Sequence, residues 1–213
     1  MKHITFYLDF ISPYAYLAFE QLPQALEGLS YSVTYKPVLL GAMLKHHGQL
    51  GPAEVPVKRA WTYRHVLWLG HAHGIPIEMP ATHPYNPLAH LRLALATTHD
   101  GAVNRHVAET LFRDVWRGGG EAGDAGRLAA LGAQLPPVRD ARGDAVKAQL
   151  RANTDEALAG GAFGVPAFEV DGRMFWGFDG LPMLRAALHD DPWFSGAEWS
   201  GADQRPGLSR NIP

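Results

Sequence analysis

Apolar and polar residues alternate at the start of the chain, where Ile4, Phe6, Leu8 and Phe10 interleave with Thr5, Tyr7 and Asp9. A period of two predicts a strand over 4–10. Ser12-Pro13 follows as a helix start, with Ser as N-cap and Pro at the first helical position. Tyr14, Leu17, Ala18 and Leu22 then share one helical face, and Pro23 predicts a kink or break. Strand spacing returns over 31–38, with Val33, Tyr35 and Val38 as its packers. A strand, a crossover helix and a second strand make a parallel unit.

Beyond Leu40 the period becomes helical. Helices are predicted over 56–73, 86–98, 102–116, 124–133 and 141–160, the second opened by Asn86-Pro87. Pro76, Pro80 and Pro84 predict an irregular connection over 75–86, and the glycine-rich run 117–124 a loop between helices. A strand is predicted over 165–170, a two-residue hairpin turn at Asp171-Gly172, a return strand over 173–176 and a closing helix over 181–188. The order β-α-β, helices, β-β-α predicts an α/β, thioredoxin-like fold with a large all-helical insertion. Residues 1–40 and 161–190 would form the discontinuous thioredoxin-like domain, 41–160 the insertion, and 191–213 a surface tail anchored by Trp193, Phe194 and Trp199.

Composition narrows the function. A formal charge of -2 over 213 residues, without any run of Lys or Arg, gives no electrostatic case for nucleic acid or an anionic membrane. No apolar stretch is long enough for a membrane span, and the N-terminus lacks a secretory signal pattern, so a cytoplasmic location is expected. The chain has no cysteine, so any thiol chemistry must use a borrowed thiol. Eleven histidines raise the question of a metal. The adjacent His46 and His47 are expected to diverge, His71 and His73 do not share a helix face, and no His-Glu-x-x-His pattern occurs, so no metal is expected.

Three constellations carry candidate chemistry. Ser12 sits where a helix N-terminus concentrates free N–H donors and positive potential. Its hydroxyl can donate to a bound thiolate, or simply cap the helix. Gly164-Val165-Pro166-Ala167-Phe168 opens the third strand. In thioredoxin folds this Pro is cis and faces the first turn, leaving the preceding backbone free for a peptide ligand, so Val165–Pro166 is expected to be cis. Asp179, just before the last helix, reads either as an N-cap or as an acceptor for an amino group. Lys58 could meet a ligand carboxylate or be a solvated surface residue, and Asn86 could reach a pocket or cap the next helix.

The segments Ser12-Pro-Tyr-Ala-Tyr-Leu-Ala18, Leu40-Gly41, His83-Pro-Tyr-Asn-Pro-Leu88, Gly164-Val-Pro-Ala-Phe168 and Phe175-Trp-Gly-Phe-Asp179 occur in this order. Together they resemble the 2-hydroxychromene-2-carboxylate isomerases, of the DsbA-like branch and close to kappa-class glutathione transferases, over about residues 3–189. The resemblance implies glutathione as cofactor. It would place Ser12 on the sulfur, the Val165 backbone beside Pro166 on the cysteinyl unit, and Asp179 at the γ-glutamyl end; Gln49, near the kappa Asn, and Lys58, read from its charge and place in the helix, are the further candidate contacts. Tyr14, Trp61, Trp68, Tyr85 and Asn86 would hold an aromatic substrate. The sequence departs from the family where Gly180 replaces a frequent Arg, where 63–68 reads Tyr-Arg-His-Val-Leu-Trp instead of carrying an Asp/Arg pair, and where Gln49 stands near an Asn of the kappa enzymes. The implied reaction is isomerisation of an aromatic unsaturated oxo-acid by reversible thiolate addition. The alternatives are a kappa-type transferase and a glutathione- or peptide-binding module without chemistry. A homodimer is expected by analogy.

Overall fold

A computed structural model describes residues 1–207; residues 208–213, which end the predicted tail and include Pro213, lie outside the described residues. Four strands form one sheet in the order β2-β1-β3-β4: β1 Lys2–Leu8, β2 Tyr31–Pro37, β3 Ala167–Val170 and β4 Arg173–Trp176. β1 runs parallel to β2 and antiparallel to β3, and β3 pairs antiparallel with β4. This is a thioredoxin-like fold of mixed α/β class.

The central strand is buried on both faces, and each face has its own chemistry. Phe6 lies opposite Tyr35 and Phe168, with ring centroids 5.7 and 4.5 Å away. Phe19, from α1 (Pro13–Ala25), reaches the same cluster 5.5 Å from Tyr35. Tyr7 and Lys36 point the other way, and both hydrogen-bond Glu156 of α7 (Asp144–Ala159). Period-two alternation thus assigns one side of the sheet to α1 and the other to α7.

The first strand ends two residues before its predicted limit. The Asp9 carbonyl accepts the Ser12 N–H at 3.1 Å and its carboxylate accepts the Ile11 N–H at 3.2 Å, so the chain turns out of the sheet after Leu8. The third strand begins after Pro166, which has no N–H to give the ladder. Asp171 and Gly172 have φ of 52° and 74°, as the predicted tight hairpin requires. The expected break at Pro23 does not occur, and α1 continues to Ala25. The carbonyl that Pro23 leaves without its helical donor is that of Phe19, and Arg105 donates to it at 3.5 Å while lying over the Phe19 ring.

The segment between the halves is helical, with α2 Leu40–His46, α3 Pro56–His73, α4 Leu88–Ala96, α5 Arg105–Arg117, α6 Ala125–Gln134 and then α7. Asn104 and Asp124 cap α5 and α6 through their side chains. α2 has no counterpart in the sequence reading. Its chain entry is fixed by distant groups: Thr154 Oγ1 accepts the Leu39 N–H at 3.0 Å, and Asn153 donates to the carbonyls of Pro37 and Gly101. The His46 and His47 rings, expected to diverge, meet edge to face at 4.9 Å, because His47 lies past the helix as its C-cap. α8 (Leu181–Leu188) packs on α1, and Arg185 donates to the carbonyls of Ala25 and Glu27. In the described part of the tail, Phe194 is buried and Trp199 packs against Phe175, while Trp193 is 44% exposed.

Candidate functional site

The turn between β1 and α1 is pinned from three directions. The Trp116 indole N–H donates to the Phe10 carbonyl at 2.9 Å. His83 Nε2 is 2.8 Å from the Ile11 carbonyl, which can only accept, so Nε2 carries the proton. That tautomer leaves His83 Nδ1 as an acceptor 2.8 Å from the Tyr63 hydroxyl, whose one hydrogen it shares with the His83 carbonyl at 2.7 Å, and burial favours the neutral ring by lowering its pKa. Fully buried Asp9 ties the turn to α2 through the Leu40 N–H at 2.9 Å. Burial pushes the Asp9 carboxyl up to about 7, against the opposing pull of its backbone donors.

Ser12 follows this turn and does two things. Its Oγ accepts the Ala15 N–H at 3.2 Å, so it caps α1. The same hydroxyl donates toward the Val165 carbonyl at 3.4 Å, across the sheet from its own turn. The Val165–Pro166 peptide is cis, as is His83–Pro84. The Val165 N–H has no hydrogen-bond partner among the described residues.

A cavity of about 1390 Å³ opens on these groups. Ser12, Tyr14, Gln49, Tyr85, Val165, Pro166 and Asp179 all line it. Lys58, Trp61, Trp68 and Asn86 are off its wall: Lys58 is exposed in the first turn of α3, the two tryptophans are 68% and 59% exposed, and Asn86 accepts the Leu88 N–H. Asp179 does not cap α8, whose N-cap is Gly180 without a side-chain bond. Gly177 places it instead: φ there is 90°, and a Cβ would lie 2.5 Å from Asp179 Oδ1. The Tyr85 hydroxyl is buried without a hydrogen-bond partner among the described residues, and burial raises its pKa.

The wall also holds residues that the sequence reading did not assign: His65, His73, His83, Phe163, Trp176 and Phe178. Phe163 and Trp176 pack together at 4.9 Å, both partly exposed at the rim. A Cβ on Gly164 would sit 3.0 Å from the Trp176 indole nitrogen, which explains the glycine before Val165. The signal for Trp176 and Phe178 was their place in 175–179, adjoining the acidic residue before α8. Among the described residues no group of three His, Asp or Glu side chains is placed to hold a metal ion.

The fold and the site define a class: a thioredoxin-type scaffold whose first strand-to-helix turn offers a hydroxyl and a helix N-terminus, with a backbone N–H opposite that has no partner among the described residues and no cysteine in the chain. The family model for the DSBA-like thioredoxin domain matches residues 3–189. The 2-hydroxychromene-2-carboxylate isomerase of Pseudomonas putida is 30% identical over 87% of this chain and 93% of its own. Glutathione S-transferase kappa 2 of Caenorhabditis elegans is 26% identical over 86% of this chain and 90% of its own. A solved 2-hydroxychromene-2-carboxylate isomerase superposes with a TM-score of 0.76 at 22% identity, covering 96% of this chain and all of that one. The chain belongs to the DsbA-like thioredoxin family, in the group of the 2-hydroxychromene-2-carboxylate isomerases.

Proposed function

We propose that this protein is a glutathione-dependent isomerase of the 2-hydroxychromene-2-carboxylate type, acting on an aromatic unsaturated oxo-acid. The observation that carries the reading is the Ser12 hydroxyl, set at the α1 N-terminus against the Val165 carbonyl in a chain without cysteine. The available groups suit a thiol peptide. Val165 offers its N–H, and its carbonyl once the Ser12 hydrogen turns from it to the sulfur; Asp179 offers a carboxylate with no protein hydrogen bond among the described residues, and the α1 N-terminus favours negative sulfur. Gln49 borders the same cavity, while Lys58 would have to reach in from outside it. Bound glutathione would supply a nucleophilic thiolate that adds reversibly to a conjugated double bond, so that the bond can rotate.

This chain's own residues would orient the sulfur, exclude water and hold the substrate. The cavity exceeds the roughly 300–1,000 Å³ of common ligand pockets, which leaves room for a second molecule beside a tripeptide. Tyr14 and Tyr85 give that space an aromatic wall, while Trp61 and Asn86 could contribute only from its margin. The reading places the protein in the cytoplasm, where reduced glutathione is abundant, and leaves a homodimer as its expected assembly. The kappa-class relatives favour one competing outcome, release of a glutathione conjugate. Mass spectrometry of a reaction with 2-hydroxychromene-2-carboxylate and glutathione separates them: an isomer keeps the substrate mass, a conjugate gains that of glutathione, and a binding module changes nothing.

A further inference from the structure

The Tyr14 hydroxyl lies 2.9 Å from His65 Nδ1, with ring centroids 5.8 Å apart. Tyr14 is in the first turn of α1, two residues past Ser12, and His65 is in the middle of α3; both line the cavity. The His65 ring lies nearly parallel to Trp61 and Trp68 of its own helix, at 12° and 11°, with centroids 6.2 and 6.4 Å away. The contact therefore joins two elements across the mouth of the thiol-facing turn. Neither hydroxyl nor imidazole is needed to explain the packing of the core, since both side chains are only partly buried.

We infer that Tyr14 is the hydrogen-bond donor to the reacting carbonyl oxygen of the substrate and that His65 is the residue that positions it. The inference rests on the isomerase reading above. When a nucleophile adds to the double bond of an unsaturated carbonyl, the displaced electron pair moves onto the carbonyl oxygen. That oxygen then needs a proton or a strong donor. The Tyr14 O–H supplies its hydrogen there and takes it back when the pair returns, the double bond reforms and the nucleophile leaves. Nothing is consumed in the cycle. With His65 in its Nδ1–H tautomer, the imidazole donates to the Tyr14 oxygen and turns the phenol hydrogen toward the cavity. Burial and the Asp179 charge raise the Tyr14 pKa, which keeps the phenol protonated as this role requires.

The experiment compares wild type, Tyr14→Phe, His65→Leu, His65→Asn and the Tyr14→Phe/His65→Leu double variant. Conversion of 2-hydroxychromene-2-carboxylate is measured at saturating glutathione, and glutathione affinity by calorimetry. Tyr14→Phe is expected to lower kcat about tenfold to hundredfold, the scale of one hydrogen bond to developing charge, with glutathione affinity unchanged. His65→Leu should lower kcat by less, His65→Asn should restore most of it because its amide can donate from the Nδ1 position, and the double variant should be no slower than Tyr14→Phe. Nitrogen NMR of the ligand-free protein gives an activity-independent readout, in which Tyr14→Phe should shift the His65 Nδ1 resonance. Wild-type kcat in Tyr14→Phe, or additive losses in the double variant, overturns the dyad alone. A wild type with no glutathione-dependent conversion overturns the isomerase reading, and the catalytic assignment of Tyr14 with it.

Discussion

Asp9 and Ser12 show how single residues of one turn divide the work. Asp9 is a carboxylate moved from 3.8 to about 7 by burial. An acid whose folded pKa is raised binds its proton more tightly in the native state. Its contribution to stability is complete below the unfolded pKa and is lost as pH rises through the folded one. The Asp9 contribution to unfolding free energy should therefore fall between about pH 4 and 7 by up to about 1.4 kcal/mol per pH unit, opposed by His83, whose lowered pKa adds stability as pH rises toward 6.5. Asp9→Asn should flatten that slope, as read from urea midpoints across this range, whereas an undiminished slope in the variant would assign the pH dependence to other groups. Under the proposed function Ser12 has the opposite balance, little stability and much chemistry. Ser12→Ala should cost about 1 kcal/mol for the lost cap. Its turnover at saturating glutathione should drop about tenfold to hundredfold if the hydroxyl also holds a thiolate. Equal turnover with a lowered melting temperature would leave Ser12 as a cap and nothing more.

At the scale of elements, the turn between β4 and α8 is where backbone geometry sets the position of a charge. Gly177 and Gly172 both have positive φ, at 90° and 74°, but only Gly177 has the Asp179 carboxylate within reach of a Cβ. Gly172→Ala should cost about 1–2 kcal/mol of backbone strain and leave glutathione affinity alone. Gly177→Ala should lower the melting temperature further and also weaken glutathione binding, because Asp179 must move. Equal affinity in the two variants would remove Asp179 from the ligand's reach. The elements on either side of β4 show why some of the fold was legible in the sequence. The hairpin at Asp171-Gly172 and the helix over 181–188 are written locally, in turn residues and apolar spacing, and they fall where they were predicted. Pro23 misled because the compensating donor, Arg105, is 82 residues away and belongs to another helix. The α2 helix was missed for a similar reason, since Thr154 and Asn153 organise its entry from the far end of the chain.

At the scale of the whole molecule, the site exists only because the β-α-β unit and the β-β-α unit close on one sheet. That closure brings Ser12 and Val165, 153 positions apart, to one hydrogen bond. Motif order conveyed this juxtaposition, because the element pattern specifies which turns face each other. Motif order did not convey the far wall, where His65, Trp176 and Phe163 arrive from α3, β4 and the loop before β3. Helix packing sets which face of α3 looks inward, and its evenly spread aromatic and charged residues give no stripe to mark it. The assembled groove makes one further demand. A free thiol has a pKa near 8.5, and a helix N-terminus with a hydroxyl donor lowers it. Glutathione binding should therefore eject a proton at neutral pH. Calorimetry in buffers of different ionisation enthalpy reads this as a slope of apparent enthalpy against buffer enthalpy. Wild type should release a large fraction of one proton, Ser12→Ala less, and S-methylglutathione, which lacks the titrating thiol, none. A zero slope for wild type with glutathione would mean that the turn binds the peptide without activating its sulfur, and would leave the protein as a binding module.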